Sequence, residues 1–197
     1  MDRKRIASVV SAALNAPLIT MITFILLILW QGTPKTPLLI GITSVFGCIL
    51  PLVMVGVLLK LDLIEDFYAH DKEQRFIPFL WTSLFYLMGA ISLVWVDAPI
   101  MVTALMTCYF VNSLVLTAIT FKWKISIHAS GITGPVTALV YLLGSAMLPL
   151  FLILIPVAWA RVELKAHTKM QVTAGAIIST LLTWYQMSLY MKGIVLF

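Results

Sequence analysis

The sequence predicts an all-α, polytopic membrane protein that forms one integral-membrane domain over residues 1–197, and three observations support this prediction. Hydrophobic residues make up 61% of the chain and charged residues only 11%, which is far too apolar for an ordinary soluble domain. Several uncharged runs reach the roughly 20 residues that a helix needs to cross the hydrocarbon core. The chain also lacks the alternating strands of an outer-membrane barrel. We therefore expect a bundle of six or seven membrane-spanning helices.

The uncharged runs place the predicted helices in order along the chain. They cover about 8–31, 37–59, 79–96, 99–121 and 169–191, with a more complex region at about 126–160. Pro17 lies near the start of the first helix. Pro51 lies within the second, where a membrane helix tolerates proline if its neighbours satisfy the freed carbonyl. The first run is too long for the core of a secretory signal, so we expect it to be retained.

The region at about 126–160 is too long for one upright crossing of the membrane. Gly144 and Pro149 lie near its middle, where they would interrupt a continuous helix. We therefore expect two short helices that form a hairpin.

The distribution of positive charge predicts the orientation of the chain. Counting crossings places the N-terminus and the loops at 60–78, 122–131 and 161–170 on one face. Of thirteen Lys and Arg, all but Lys35 and Lys192 lie on that face. By the positive-inside rule, the N-terminus and this face are cytoplasmic in a multi-pass protein of the cell (inner) membrane.

The same charges bear on the class of partner. The net charge is +5, but the cations lie in short loops beside membrane segments. Membrane topology, lipid headgroups or a phosphorylated substrate explain them better than a nucleic acid does. The predicted spans contain no Asp, Glu, Lys or Arg, which disfavours a pump or an ion-coupled transporter.

Two polar stretches, 122–131 and 161–171, hold the candidate chemistry and two of the three histidines. The neutral imidazole of His167 could attack phosphorus, and water could then hydrolyse the phosphohistidine. His128 could protonate the leaving oxygen and later activate that water. The alternative is that both histidines are amphipathic residues of the membrane interface.

Other residues of these stretches could bind phosphate oxygens. Arg161 offers a planar fork and Lys124 a point charge, although the loop lysines could equally be interfacial anchors. Ser126 can donate its hydroxyl, and amides at the start of the following helix could add donors. Gln171 has two interpretations: its side-chain oxygen could orient His167, or it could form a capping box with Thr168 at the start of the last helix.

The loop at 60–78 interleaves acidic and basic residues. Lys72 and Arg75 would be neighbours on a helix and could contact phosphate. A solvated, self-paired surface or a divalent-cation loop are the alternatives. We assign His70 no chemical role.

The patterns Ser126-x-His128-Ala129 and Arg161-x5-His167-x3-Gln171 resemble the type 2 phosphatidic acid phosphatase (lipid phosphate phosphatase) superfamily, particularly its divergent small bacterial members. The signatures of that superfamily are Lys-x6-Arg-Pro, Pro-Ser-Gly-His and Ser-Arg-x5-His-x3-Asp. The segment from Lys72 to Pro78 is similar to the first signature but differs in spacing.

This chain departs from the family pattern at several positions: Ile125 and Ile127 replace Pro and Gly, Ala160 replaces Ser, and Gln171 replaces Asp. A neutral Gln can accept a hydrogen bond from an imidazole but cannot stabilise an imidazolium by charge.

The resemblance implies an enzyme that removes phosphate from a lipid phosphate monoester or an isoprenoid diphosphate, without a metal or cofactor. It also implies that His167 is the nucleophile and His128 the general acid and base, with Arg161 and Ser126 as phosphate ligands. The alternative is a catalytically weak or inactive relative that binds anionic lipid or a partner protein.

Overall fold

A computed structural model describes residues 2–65 and 76–194, and within these ranges it contains helices and no strand. The elements are α1 (Arg3–Ala13), α2 (Ala16–Gln31), α3 (Thr36–Ser44), a π-helical turn (Val45–Ile49), α4 (Leu50–Lys60), α5 (Phe76–Trp95), α6 (Ile100–Lys122), α7 (Ile127–Leu143), a 3-10 helix (Ser145–Ile153), α8 (Leu154–Glu163) and α9 (Lys169–Met191).

Among the described residues, four helical segments are long and apolar enough to cross a membrane: Thr36–Lys60, Phe76–Trp95, Ile100–Lys122 and Ser145–Glu163. The pair formed by α1 and α2 makes a fifth if it counts as one span. These helices are compatible with a multi-pass membrane protein. The number of six or seven crossings stays a prediction, because α7 has only 17 residues and α9 is more polar than the four segments.

The first predicted helix is in fact two helices, which differ in direction by 42°. The break falls at Leu14 and Asn15, and the side chain of Asn15 accepts a hydrogen bond from the amide of Leu18 at 3.0 Å. Pro17 follows in the first turn of α2, where a proline loses no helical hydrogen bond. The prediction missed the break because the run of apolar residues continues through it.

Pro51 is accommodated by a change in helix geometry. Proline has no amide hydrogen and cannot make the usual bond to the preceding turn. In this chain the π-helical turn Val45–Ile49 ends two residues before the proline, so the helix is locally wider where the regular hydrogen-bond pattern would fail. The segment Thr36–Lys60 therefore remains one span.

The structure contains the hairpin predicted for 126–160. α7 ends at Gly144, whose φ of 91° favours glycine. The chain then turns back through the 3-10 helix, which contains Pro149, into α8. Both arms pack against each other, so the arm formed by α8 returns to the end at which α7 began.

Small and hydroxylated side chains hold α7 against α9. The hydroxyl of Ser130 donates to the carbonyl of Gly175 at 3.0 Å, and the hydroxyl of Thr133 donates to that of Ala176 at 3.0 Å. The hydroxyl of Ser179 donates in return to the carbonyl of Ser130 at 3.1 Å. Such residues let two helix backbones approach closely within a membrane. The start of α7 is thereby fixed beside the start of α9.

We expect Gly175→Ala to destabilise the fold, because its Cβ would lie 2.6 Å from the carbonyl oxygen of Ser126. A clash with backbone forces the helices apart, at a cost of about 1–3 kcal/mol. Gly56→Ala is the matched control: a Cβ there meets nothing within 4 Å. Thermal unfolding in detergent should show a lower midpoint for Gly175→Ala and an unchanged or higher midpoint for Gly56→Ala. Equal midpoints for the two variants would contradict the close approach.

Candidate functional site

His128, Arg161 and His167 line one cavity of about 150 Å³. The cavity lies where α2, α5 and α7 begin and α8 ends, so it occupies one end of the helical bundle. Most of its wall is apolar and includes Pro51, Leu52, Val55, Ile64 and Phe79. The structure thus brings together the three residues that the sequence analysis assigned to the nucleophile, the general acid and the main phosphate ligand.

A tight turn at the end of α8 places His167 beside Arg161. Lys165 adopts the left-handed conformation with φ 53°, and the amide of Ala166 donates to the carbonyl of Arg161 at 3.1 Å. The amide of Lys165 donates to the carbonyl of Val162 at 2.9 Å, which completes a Schellman motif. The amide of His167 also donates to the carbonyl of Arg161, at 3.2 Å. The backbone therefore fixes the position of His167, which is 6% exposed.

A second backbone contact joins the His128 stretch to the His167 stretch. The amide of Ser126 donates to the carbonyl of Gln171 at 3.3 Å. His128 lies in the first turn of α7, and α9 begins just after His167. The amino-terminal ends of α7 and α9 both lie at this end of the bundle, where their partial positive charge favours an anion.

Arg161 is 1% exposed and occupies the last turn of α8. Its Nη1 donates to the hydroxyl of Ser11 on α1 at 2.9 Å. α1 packs along α8 with Ala7 and Ser11 fully buried. An ion pair of 3.7 Å between Arg3 and Glu163 adds little, because Arg3 is mostly exposed. The guanidinium therefore belongs to the cavity and also anchors α1.

The contribution of the break between α1 and α2 to the site was missed by the sequence analysis, which treated 8–31 as one span. Asn15, Ala16 and Pro17 line the cavity and form the start of α2. A capping residue followed by proline is a recognised signal of a helix start. That signal would have separated α1 from α2.

Ser126 and Lys124 are not among the described residues that line the cavity. Ser126 is fully buried, and its hydroxyl oxygen accepts from the amide of Ala129 at 3.4 Å, which makes it the N-cap of α7. Lys124 is half-buried in the short segment before α7. Ser126 therefore contributes to the site by capping the start of α7, the helix that carries His128.

Gln171 forms the capping box with Thr168, the second of the two roles considered for it. Its side-chain oxygen accepts from the amide of Thr168 at 3.0 Å, and its own amide donates to the hydroxyl of Thr168 at 3.2 Å. These bonds form the capping box of α9. The oxygen that would have oriented His167 therefore bonds to backbone. Lys72, Arg75 and His70 lie outside the described residues.

The electrostatics of the cavity favour an anion. Arg161 is a permanent cation, and the described part of the lining contains no acidic side chain. Charge interactions are stronger beside apolar walls than in water, because the local dielectric constant is lower. Within residues 2–65 and 76–194, no cluster of three or more His, Cys, Asp or Glu could hold a metal ion.

We expect Ser11→Ala to destabilise the protein by about 1–3 kcal/mol, because a buried guanidinium loses a hydrogen-bond acceptor. Ser8→Ala, on the exposed side of α1, is the control and should change stability by less than about 0.5 kcal/mol. Chemical denaturation followed by circular dichroism gives both values. Equal stabilities for the two variants would show that the bond between α1 and Arg161 contributes nothing.

Gln171→Ala should lower stability by about 0.5–1.5 kcal/mol, the usual range for a lost hydrogen bond. Gln171→Glu should preserve stability, because Glu also completes a capping box. The unfolding midpoints of the two purified variants test this difference. A stable Gln171→Ala would indicate that the capping box is dispensable.

Comparisons of the chain with protein-family models, characterised proteins and solved structures gave no significant match.

Proposed function

We propose that this protein is a membrane phosphatase that hydrolyses a lipid phosphate monoester or an isoprenoid diphosphate through a phosphohistidine. One observation carries the proposal: His128, Arg161 and His167, which are distant in sequence, line the same cavity. Two imidazoles and a guanidinium in an apolar cavity provide a nucleophile, a proton carrier and an anion-binding group. The patterns at 126–129 and 161–171 resemble signatures of the lipid phosphate phosphatase superfamily, and this resemblance supports the same chemistry.

The proposed reaction has two displacements. In the first, a neutral imidazole nitrogen of His167 bonds to phosphorus as the bond to the leaving oxygen breaks, and His128 gives that oxygen a proton. The leaving oxygen is the lipid oxygen of a monoester or the bridging oxygen of a diphosphate. In the second, water bonds to phosphorus, gives a proton to His128 and releases inorganic phosphate from His167. Arg161 stabilises the charge that develops on the phosphoryl oxygens in both steps. His128 ends each cycle in the protonation state in which it began.

The proposed substrate is a phosphorylated lipid that enters from the membrane, and its headgroup would reach the cavity at the end of the bundle. The proposed cytoplasmic orientation rests on the distribution of Lys and Arg, since eleven of the thirteen lie in the segments assigned to that face. The pair formed by Arg3 and Glu163 is consistent with a common face for the N-terminus and the 161–171 stretch.

A second candidate function is binding of an anionic lipid headgroup without catalysis. The observation that favours it is the capping box, because the side-chain oxygen of Gln171 bonds to the amide of Thr168. Position 171 also has no carboxylate that could stabilise an imidazolium at His167 by charge. Catalysis would therefore be slower. Both functions use the same cavity and the same cation.

We expect His167→Ala to lose release of inorganic phosphate from a panel of lipid phosphates, because it removes the nucleophile. His128→Ala should reduce the rate about 10²–10⁴-fold, the usual contribution of a general acid or base. His70→Ala is the matched histidine control and should retain activity. The measurement is phosphate release by detergent-purified protein in the presence of a metal chelator.

A second readout separates the nucleophile from a residue that only binds substrate. His128→Ala, mixed with a phosphate ester that has a good leaving group, should accumulate protein-bound phosphate that is labile to acid and stable to base. His167→Ala should accumulate none. Equal phosphate release by the wild type and His167→Ala would exclude His167 as the nucleophile, and the absence of release from any wild-type reaction would favour the second function.

A further inference from the structure

A second cavity, of about 80 Å³, adjoins the cavity that contains His167. We call it the inner cavity. The two cavities share the lining residues Ala16, Phe79, Thr82, Tyr86 and Ile127. They are therefore neighbours with a common wall.

The inner cavity extends along one face of α6. It follows α6 from Leu116 to Leu105, a distance of roughly 16 Å at the rise of an α-helix. Leu105, Cys108 and Leu116 are each at most 4% exposed, so this face of α6 lies inside the bundle. Because α6 ends at Lys122, Leu116 is the nearer end of the cavity to the site and Leu105 the farther.

Most polar residues of the inner cavity are bonded within the protein, although the buried hydroxyl of Tyr109 makes no hydrogen bond to the described residues. The hydroxyls of Ser130 and Ser179 donate to backbone carbonyls of α9 and α7. The side-chain nitrogen of Asn112 donates to the hydroxyl of Thr183 at 2.7 Å. The remaining wall contains Leu105, Cys108, Leu116 and aromatic rings. An apolar occupant is favoured, because hydrocarbon gains by leaving water and most of these polar groups already have partners.

The wall cannot easily widen on the side of α7. A Cβ added at Gly134 would lie 2.7 Å from the hydroxyl of Ser179, and one at Gly131 would lie 2.5 Å from the Cβ of Ala16. The backbone of α7 is therefore in close contact with both α9 and the start of α2. Close-packed interiors of this kind resist the insertion of additional volume.

We propose that the inner cavity receives a hydrocarbon chain of the phosphorylated lipid substrate. This inference rests on the proposed function of the cavity that contains His167, which would hold the phosphate of the same molecule. Because the two cavities share a wall, a chain that begins at the phosphate can continue along α6 among apolar side chains.

Binding of non-hydrolysable alkylphosphonates tests the inference without requiring turnover. Hexyl-, dodecyl- and hexadecylphosphonate are added to the detergent-purified protein, and each Kd is measured by thermal stabilisation. The affinity of the wild type should rise from hexyl- to dodecylphosphonate, because each buried methylene contributes to transfer from water.

Substitutions along α6 should weaken binding of long chains, and more strongly at the end near the site than at the far end. Leu116→Phe should raise the Kd of dodecyl- and hexadecylphosphonate at least about tenfold, as expected for the exclusion of two or more methylenes. It should weaken hexylphosphonate less, because that chain has fewer methylenes to lose. Leu105→Phe, at the far end, should weaken hexadecylphosphonate more than dodecylphosphonate. Leu114→Phe is the matched control, because Leu114 is on the same helix and is 40% exposed. Cys108→Leu is a milder variant in case a phenylalanine prevents folding.

Two results would overturn the inference: the same dependence on chain length in the wild type and in all inner-cavity variants, or equal affinity of the wild type for hexyl- and dodecylphosphonate. Failure of the proposed function is separable from both. If phosphonates bind with the expected length profile and the wild type releases no phosphate, the inner cavity binds a chain and the protein is not a phosphatase.

Discussion

The arrangement of the site depends on the close contact between α7 and α9. Ser130, Thr133 and Ser179 bond across this interface to backbone carbonyls, and Gly175 lets the two backbones meet. Because both helices begin at the same end of the bundle, their first turns and the preceding segments lie together. His128 and His167 are neighbours for this reason, although no side-chain contact between them is needed.

The buried guanidinium of Arg161 imposes a second constraint. Desolvation of a charged group is expensive in an apolar interior unless hydrogen bonds compensate. Arg161 donates one such bond to Ser11 on α1, so the first helix contributes to the environment of the cation. Asn15, the N-cap of α2, contributes to the cavity wall. An anion that entered the cavity would approach this cation next to apolar walls. The same charge that is costly to bury is therefore well placed to bind phosphate.

The sequence predicted most helices within a few residues, because long uncharged runs and the interruption at Gly144 are strong local signals. It also offered the capping box of Gln171 as one of two interpretations. The break after Leu14 was missed, since hydropathy measures how apolar a segment is and is insensitive to a change of direction. The contact between Ser11 and Arg161 spans 150 positions and depends on packing, which a single sequence does not reveal. The inner cavity was unpredictable for the same reason.

The long separation between Ser11 and Arg161 has a consequence for biogenesis. The first helix leaves the ribosome long before α8 has been synthesised. Ser11 can therefore accept the hydrogen bond from Arg161 only after most of the chain has been made. Contacts between distant segments form late, because they require the intervening chain to be ordered first. A nascent protein that has inserted only its early segments therefore lacks the contact between Ser11 and Arg161, and the proposed site is completed in one of the last steps of assembly.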